Sequence, residues 1–280
     1  MIQIAGTPFQ QKDMWSAGRI ESIIIQSMRE SPDIYSYDSM NELLFEINLR
    51  KNIILSGKAL IQSEAAFETF DQSKANPQYW YVTEEGGFQL KQEVKPSEAI
   101  RDIFKNSFLY AFECATATII IYYDAVLNTI GERLFNQFFQ NLYLYSWHAD
   151  YDLGIQTIDT DYFLPGDVVY FNNPDFPPTA PWWRGENAIL LEDGSFLGHG
   201  VGIKKAEQMI QFLNEMRKPN STQSAYLINN VVRPSFQYLS HLPMLQRTCP
   251  TYKVQYVVIH HNECSISYMQ YLYYLKGFYE

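Results

Sequence analysis

Apolar residues early in the chain recur at the spacing of a helix. Residues 38–56 open with Ser39-x-x-Glu42, in which a hydroxyl and a carboxylate can cap the first turn. The apolar side chains that follow fall on one helical face: Met40, Leu43, Leu44 and Ile47. This pattern predicts a helix over residues 38–56.

A hairpin and a second helix are predicted further along. The segment QYWYVTEEGGFQLK (78–91) has aromatic residues on both sides of a Glu-Glu-Gly-Gly sequence, which is typical of two strands joined by a turn. Pro96-Ser97-Glu98 is typical of a helix start. Residues 1–95 are therefore predicted to be mainly helical with one hairpin.

The most apolar run of the chain starts near Phe112. Its β-branched residues, among them Thr116 and Thr118, favour a strand locally, but the run is too long for one ordinary strand. Alanines recur within it, and Gly131 follows. We therefore predict a buried helix and then an amphipathic helix.

Strand-like segments dominate the next part of the chain. They are residues 141–147, 161–171, 186–191 and 195–201, the last two joined by Glu192-Asp193-Gly194. Residues 204–218 follow with the pattern of an amphipathic helix. Helices followed by a run of strands predict an α+β fold.

Composition narrows the possible functions. The chain has 280 residues, 46% of them hydrophobic, which supports a substantial core. A net charge of -10 without a long basic run argues against nucleic acid or an anionic membrane as a partner. The N-terminus lacks the pattern of a secretory signal. The apolar stretch 112–130 contains Glu113 and Asp124, which argues against a membrane span.

The cysteines provide a candidate nucleophile. Cys114, Cys249 and Cys264 are too few for a disulfide framework, and a free thiol is more often a core residue than a catalyst. Cys114 nonetheless lies where a helix is predicted to begin, and unpaired N–H groups there can stabilise a thiolate and the oxyanion formed after its attack. Glu186 and His199 on the predicted hairpin are both plausible partners for the thiol.

Several longer blocks of sequence are similar to one family of enzymes. They are AIRDI (99–103), AFECATATIIIYYDA (111–125), GDVVYFNNPDF (166–176), WRGENAILL (183–191), HGVGI (199–203) and QSAYL (223–227). Through these blocks the chain resembles the spore-coat protein-glutamine gamma-glutamyltransferases, or transglutaminases, of Bacillus-type bacteria. The similarity extends from about the first ten residues to about residue 240.

The resemblance implies a papain-like core of the cell-wall-amidase kind, in which the helix bearing the nucleophile packs on an antiparallel sheet. It implies Cys114 as the nucleophile, Glu186 as the principal acid/base, Glu113 as an auxiliary carboxylate and His199 in a supporting role. It also implies a tunnel for substrate side chains with aromatic walls: Phe67, Trp147 and Trp183, with Trp182 as the alternative to its neighbour.

The activity implied by the resemblance is calcium-independent cross-linking of glutamine and lysine side chains in spore coat proteins, through a cysteine thioester. The enzyme would be made in the mother-cell cytoplasm and then join the spore coat. Two other functions stay open: a thiol amidase or peptidase on the same core, and a non-catalytic structural protein of the coat. Residues 1–245 are predicted to be a single catalytic domain, and residues 246–280 a tyrosine-rich extension of unknown role.

No metal site or cofactor is predicted. Cys249, His260, His261 and Cys264 are residue types that bind zinc, but adjacent histidines seldom share one metal, and no Cys-x-x-Cys pair supports them. No Asp-x-Asp-x-Asp-Gly loop offers a site for calcium regulation.

Overall fold

The structure is a computed structural model that describes residues 1–10, 18–245 and 264–277. Its α-helices are α1 (Arg19–Glu30), α2 (Met40–Ile61), α3 (Pro96–Lys105), α4 (Cys114–Ile130), α5 (Glu132–Phe138), α6 (Ala206–Glu215), α7 (Phe236–His241) and α8 (Tyr268–Gly277). Its strands are β1 (Ile2–Ile4), β2 (Thr7–Pro8), β3 (Tyr35–Tyr37), β4 (Ala66–Phe67), β5 (Trp80–Val82), β6 (Phe88–Leu90), β7 (Ala111–Phe112), β8 (Tyr143–Leu144), β9 (Gln156–Asp159), β10 (Val168–Asn172), β11 (Gly185–Leu190), β12 (Phe196–Gly198), β13 (Gly202–Lys204), β14 (Tyr226–Leu227) and β15 (Asn230–Arg233).

Helix α2 begins where its capping sequence predicts. Ser39 Oγ accepts a hydrogen bond from the backbone N–H of Glu42 at 3.3 Å, and the Glu42 carboxylate accepts from the N–H of Asp38 at 2.9 Å. The predicted helix is confirmed and continues to Ile61, with Leu60 still buried in the core.

The most apolar run forms two helices, as predicted. Helix α4 is buried along nearly its whole length, and Gly131, with φ +81°, separates it from α5. Such a positive φ is accessible to glycine without strain. Within the described ranges no helix has both the length and the hydropathy that crossing a bilayer requires.

Seven strands form one antiparallel sheet in the order β13-β12-β11-β10-β15-β9, with β14 also paired to β10. Successive residues face opposite layers, as the period of a strand requires. Val168 and Ile189 pack in the main core with α2 and α4, whereas Val169 and Ala188 pack with α6. Helix α4 therefore packs on an antiparallel sheet, and the predicted α+β fold class is confirmed.

Both predicted hairpins are confirmed. Strands β5 and β6 pair around Glu84-Glu85-Gly86-Gly87, and β11 pairs with β12 around Glu192-Asp193-Gly194. Strands β11 and β12 of the second hairpin each have a paired strand on both sides in the large sheet. This pairing fixes the positions of the residues at the ends of the two strands.

Two predicted strands are shorter than the sequence suggested. The segment 161–171 is extended only from Val168 onward, because Pro165-Gly166 forms a turn in which the glycine has φ +88°. The segment 141–147 contributes only Tyr143–Leu144, which pairs with β6 in a separate small sheet. The helix predicted over 204–218 is also shorter and spans α6.

The N-terminal part contains strands that the sequence pattern did not predict. Strand β1 pairs parallel with β3 and antiparallel with β2, and this small sheet packs against α1. A parallel pair between β4 and β7 places Phe67 beside Phe112, next to the start of α4.

The described part of the C-terminal extension packs against the rest of the chain. Ile266 and Tyr271 are 1% and 5% exposed and belong to the main core together with residues of α2 and α4. The division of the chain at residue 245 stays a prediction.

Candidate active site

The start of α4 is built around Glu113. This residue caps the helix, and its carboxylate accepts hydrogen bonds from the N–H groups of Ala115 and Thr116 at 2.6 and 2.5 Å and from the Thr116 hydroxyl at 2.6 Å. Glu113 is fully buried, and burial raises its pKa, although these hydrogen bonds oppose the rise. The capping contacts hold the first turn of the helix in place.

These bonds change one expectation from the sequence. The N–H groups of Ala115 and Thr116 at the helix terminus were expected to be available to a thiolate or an oxyanion, but Glu113 occupies both. These two N–H groups are therefore not available to an oxyanion.

Cys114 is the first residue of α4, and its side chain is only 1% exposed. Its Sγ accepts a hydrogen bond from Asn187 Nδ2 at 3.1 Å. Burial raises the thiol pKa well above its ordinary value, and the nearby carboxylates of Glu186 and then Glu113 raise it further. The thiol is therefore held in its protonated form.

Ser265 of the C-terminal extension is also close to the thiol. Its hydroxyl lies near enough to lower the pKa of Cys114 in part, but the two groups do not meet the geometry of a hydrogen bond. Ser265 is fully buried and has a left-handed backbone with φ +55°.

Glu186 lies on β11, in the middle of the large sheet, and is 2% exposed. Its carboxyl group rests against Gly198 of β12, where a Cβ would approach Oε1 to 2.5 Å. Burial, followed by the charge of Glu113, raises the pKa of Glu186 well above its ordinary range. Within the described residues Oε1 has no hydrogen-bond partner, although it is fully buried.

His199 follows directly after β12 and faces the backbone near the start of α4. Its Nε2 lies 3.1 Å from the carbonyl oxygen of Phe112 and 3.3 Å from that of Ala66. Carbonyl oxygens only accept, so Nε2 carries the proton. Burial lowers the pKa of His199 to about 4, and the ring stacks on Phe112. The imidazole is neutral and positions the backbone next to Cys114.

The aromatic residues predicted for the tunnel are divided between two places. A cleft of about 970 Å³ opens beside the site. It is lined by aromatic and acidic side chains: Phe67, Phe70, Tyr145, Trp182 and Trp183 with Glu68, Asp71, Glu84 and Glu85. Both neighbouring tryptophans face this cleft. Trp147 does not line it and is 1% exposed.

Residues of the C-terminal extension lie between the cleft and the thiol. Cys264 lines the cleft, and the Ile266 carbonyl accepts hydrogen bonds from Trp147 Nε1 at 2.9 Å and from Asn187 Nδ2 at 3.1 Å. The Tyr170 hydroxyl donates to the carbonyl of Ser265 at 2.6 Å. These bonds fix the segment beside Cys114.

Sequence reasoning missed Asn187 and the role of the extension. Strand alternation gave no signal for Asn187, because it sends neighbouring side chains to opposite faces, and only one of Glu186 and Asn187 would be predicted to face the thiol. No sequence motif marks residues 264–267.

Of the four residues considered as zinc ligands, only Cys264 lies within the described residues. Cys249, His260 and His261 lie outside the described residues. Cys264 is buried, and no cluster of three metal-binding side chains occurs in the parts of the chain that the structure describes.

Comparison with known proteins identifies the family. The family model described as protein-glutamine gamma-glutamyltransferase matches residues 1–243. A protein-glutamine gamma-glutamyltransferase of Halalkalibacterium halodurans is 53% identical over 98% of this chain and 97% of that protein. Its counterpart from Bacillus subtilis is 43% identical over 83% of this chain and 96% of that protein.

A solved structure supports the same assignment. Transglutaminase from Geobacillus stearothermophilus, without its C-terminal extension, is 50% identical and aligns with 73% of this chain and 98% of that chain at a TM-score of 0.70. The shared architecture agrees with the papain-like core expected from the sequence. The chain belongs to the protein-glutamine gamma-glutamyltransferase family and is an acyltransferase of the transglutaminase type.

Proposed function

We propose that the protein joins glutamine and lysine side chains through a thioester on Cys114, with Glu186 as the acid/base. The observation that carries this proposal is a buried thiol beside two buried carboxyl groups, one of which has an oxygen without a hydrogen-bond partner in the described residues. His199 is neutral and bound to backbone carbonyls, so it cannot supply the positive charge that stabilises a thiolate in a cysteine–histidine pair.

Glu186 and Cys114 act as a pair whose reactive form holds one proton, on Cys114, with Glu186 ionised. Burial and mutual repulsion oppose the state in which both are anions. As a glutamine carboxamide approaches, Glu186 accepts the thiol proton while sulfur attacks the carbonyl carbon. The carbon–nitrogen bond then breaks, and Glu186 returns the proton to nitrogen, so that ammonia leaves and a thioester remains.

A lysine amine completes the transfer. The neutral amine attacks the thioester, Glu186 accepts a proton from its nitrogen, and the carbon–sulfur bond breaks to leave an isopeptide bond. The proton then returns to Cys114. Aromatic side chains line part of the cleft, and by limiting the access of water to the thioester they favour attack by the amine over hydrolysis.

The substrates proposed are proteins of the spore coat that expose glutamine and lysine, and the enzyme acts first in the mother-cell cytoplasm and then in the coat. This part of the proposal rests on the sequence resemblance. A fluorescent-protein fusion followed through sporulation tests it, and a signal that stays diffuse while the coat assembles would count against it.

Amine incorporation into casein is the direct test of the chemistry. Wild-type protein should attach a fluorescent primary amine to casein, and Cys114→Ala and Cys114→Ser should attach none while retaining the circular dichroism of the folded chain. Ammonia release without amine incorporation would indicate a thiol amidase. Incorporation by a Cys114 variant would exclude the thioester, and absence of both activities in the wild type would favour a structural coat protein.

Calcium independence is tested in the same assay. We expect EDTA to leave the rate unchanged. Inhibition that added calcium or zinc reverses would refute this expectation.

A further inference from the structure

Two N–H donors converge on one carbonyl oxygen beside the active-site thiol. Trp147 Nε1 and Asn187 Nδ2 lie 2.9 and 3.1 Å from the carbonyl oxygen of Ile266. The same Asn187 nitrogen is 3.1 Å from Cys114 Sγ. The amide group of Asn187 therefore bridges the Ile266 carbonyl and the Cys114 thiol.

The orientation of the Asn187 amide follows from its partners. A carbonyl oxygen accepts only, so the amide nitrogen, with its two hydrogens, must face Ile266 and can donate the second hydrogen to Sγ. Both donors are buried, Asn187 at 4% exposure and Trp147 at 1%. In a buried site, hydrogen bonds stabilise a developing charge more strongly than they do in solvent.

Both donors are held in position by the surrounding fold. Trp147 follows Ser146, whose N–H donates to Thr116 Oγ1 at 2.8 Å, and this threonine is bound in turn to Glu113. The indole is thereby tied to the first turn of α4. Asn187 lies on β11, in the interior of the large sheet. Neither donor has to move for its hydrogens to reach the Ile266 oxygen.

The reaction requires donors of this kind. When sulfur bonds to the glutamine carbonyl carbon, the π electrons of the carbonyl move onto oxygen and create an oxyanion. The backbone N–H groups of Ala115 and Thr116 are bound to Glu113 and are not available for it. Donors 2.7–3.1 Å from the oxygen are the geometry of an oxyanion hole.

We propose that Trp147 Nε1 and Asn187 Nδ2 form the oxyanion hole, and that the Ile266 carbonyl of the chain's own C-terminal segment occupies the place of the substrate carbonyl. The proposal rests on the proposed role of Cys114 as an acyl-accepting nucleophile. A substrate carbonyl and the segment at residues 264–267 then compete for one position, and the segment must withdraw before acylation.

Two roles for the donors predict opposite results. If Trp147 and Asn187 served only to hold the C-terminal segment, their loss would release the segment and raise the rate of acylation. If they stabilise the oxyanion, their loss lowers the rate even though the segment is held less tightly.

The experiment measures acylation of Cys114 in the full chain by a p-nitrophenyl ester, through nitrophenolate release and intact mass. Trp147→Phe removes the N–H and keeps an aromatic ring, and Asn187→Ala removes the amide. Each should lower the maximal acylation rate by about 10²–10³. Trp80→Phe is the matched control, because Trp80 is equally buried and its ring packs on Phe88 of the neighbouring strand, and it should acylate at the wild-type rate.

A rate at or above that of the wild type in Trp147→Phe and Asn187→Ala would overturn the proposal. If circular dichroism shows that one variant is unfolded, the other decides. A wild-type chain that the ester does not acylate would also overturn it. Normal ester acylation without amine incorporation would instead refute the proposed cross-linking function and leave the oxyanion hole to be judged by the variants.

Discussion

Two groups of buried ionisable side chains lie where helices α2 and α4 pack on the large sheet, and they differ in how their charge is balanced. In the first, the fully buried Arg50 donates to Glu46 Oε1 and to Asp167 Oδ1, each at 2.8 Å, and Arg233 lies 3.5 Å from the same aspartate. Two cations thus face two anions. This group, the Arg50 cluster, ties α2 to the turn before β10.

In the second group, the acidic site, Glu113, Cys114 and Glu186 are all buried, and no cation lies against them in the described residues. His199 is neutral. A balanced group stabilises one conformation, whereas an acidic group without a cation raises pKa values and retains protons. We infer from this difference that the Arg50 cluster serves the fold, and it supports the proposed role of the acidic site in proton transfer.

The largest effect is expected from Glu186→Gln. If Glu186 is the acid/base, this substitution should lower the initial rate of amine incorporation by about 10²–10⁴. His199→Gln, which retains an N–H donor for the backbone, should cost much less. The reverse order, with the histidine variant inactive and the glutamine variant near wild type, would restore a conventional cysteine–histidine pair.

Glu113 is the second buried carboxylate beside the thiol, and the same assay tests whether it can replace Glu186. Residual activity in Glu186→Gln should fall further when Glu113→Gln is added, if the second carboxylate can act in its place. An unchanged residual rate would confine Glu113 to its role in capping α4.

The next largest effect is on stability, at the Arg50 cluster. Arg50→Met leaves Glu46 and Asp167 buried without their main partner, so we expect a loss of about 3–5 kcal/mol in the free energy of unfolding. Urea denaturation measures it. Lys95→Met removes an ion pair whose side chains are 61% and 49% exposed, and it should leave the free energy of unfolding nearly unchanged because solvent screens the pair. Equal losses at the two positions would contradict a stabilising role for the cluster.

A smaller loss is expected from Glu113→Ala. Removing the cap leaves the N–H groups of Ala115 and Thr116 without their acceptor, which should cost about 0.5–2 kcal/mol of stability. Thermal unfolding followed by circular dichroism is the measurement. An unchanged midpoint would show that solvent or another group satisfies these donors.

A pH dependence of stability is also expected at the acidic site. The unfolded chain releases the Glu186 proton near its ordinary pKa of about 4.3, whereas the folded chain retains it. The folded state then binds more protons, so its stability falls as pH rises from there toward the raised pKa. Glu186→Gln removes this slope. Its unfolding midpoint should gain on that of the wild type as the pH rises above the ordinary carboxyl pKa of about 4.3, and a constant difference would contradict the raised pKa.

The sequence predicted the elements that carry the site better than the contacts within it. The capping box at Ser39 and the two turns of the hairpins are local signals, and all three were confirmed. The capping bonds of Glu113 were missed, because the same residue type fits a catalytic carboxylate and a helix cap. The contact between Asn187 and Cys114 joins residues 73 positions apart, and only the packing of α4 on the sheet creates it.

The pH dependence of Cys114 alkylation tests the central claim most directly. Iodoacetamide labelling of the full chain, resolved by peptide mass mapping to separate Cys114 from the other thiols, gives the pH at which this thiol ionises. An acidic site without a cation predicts a midpoint above the ordinary thiol value of about 8.5 that moves down in Glu186→Gln. A midpoint below the ordinary value, or one that Glu186→Gln leaves unchanged, would contradict the account.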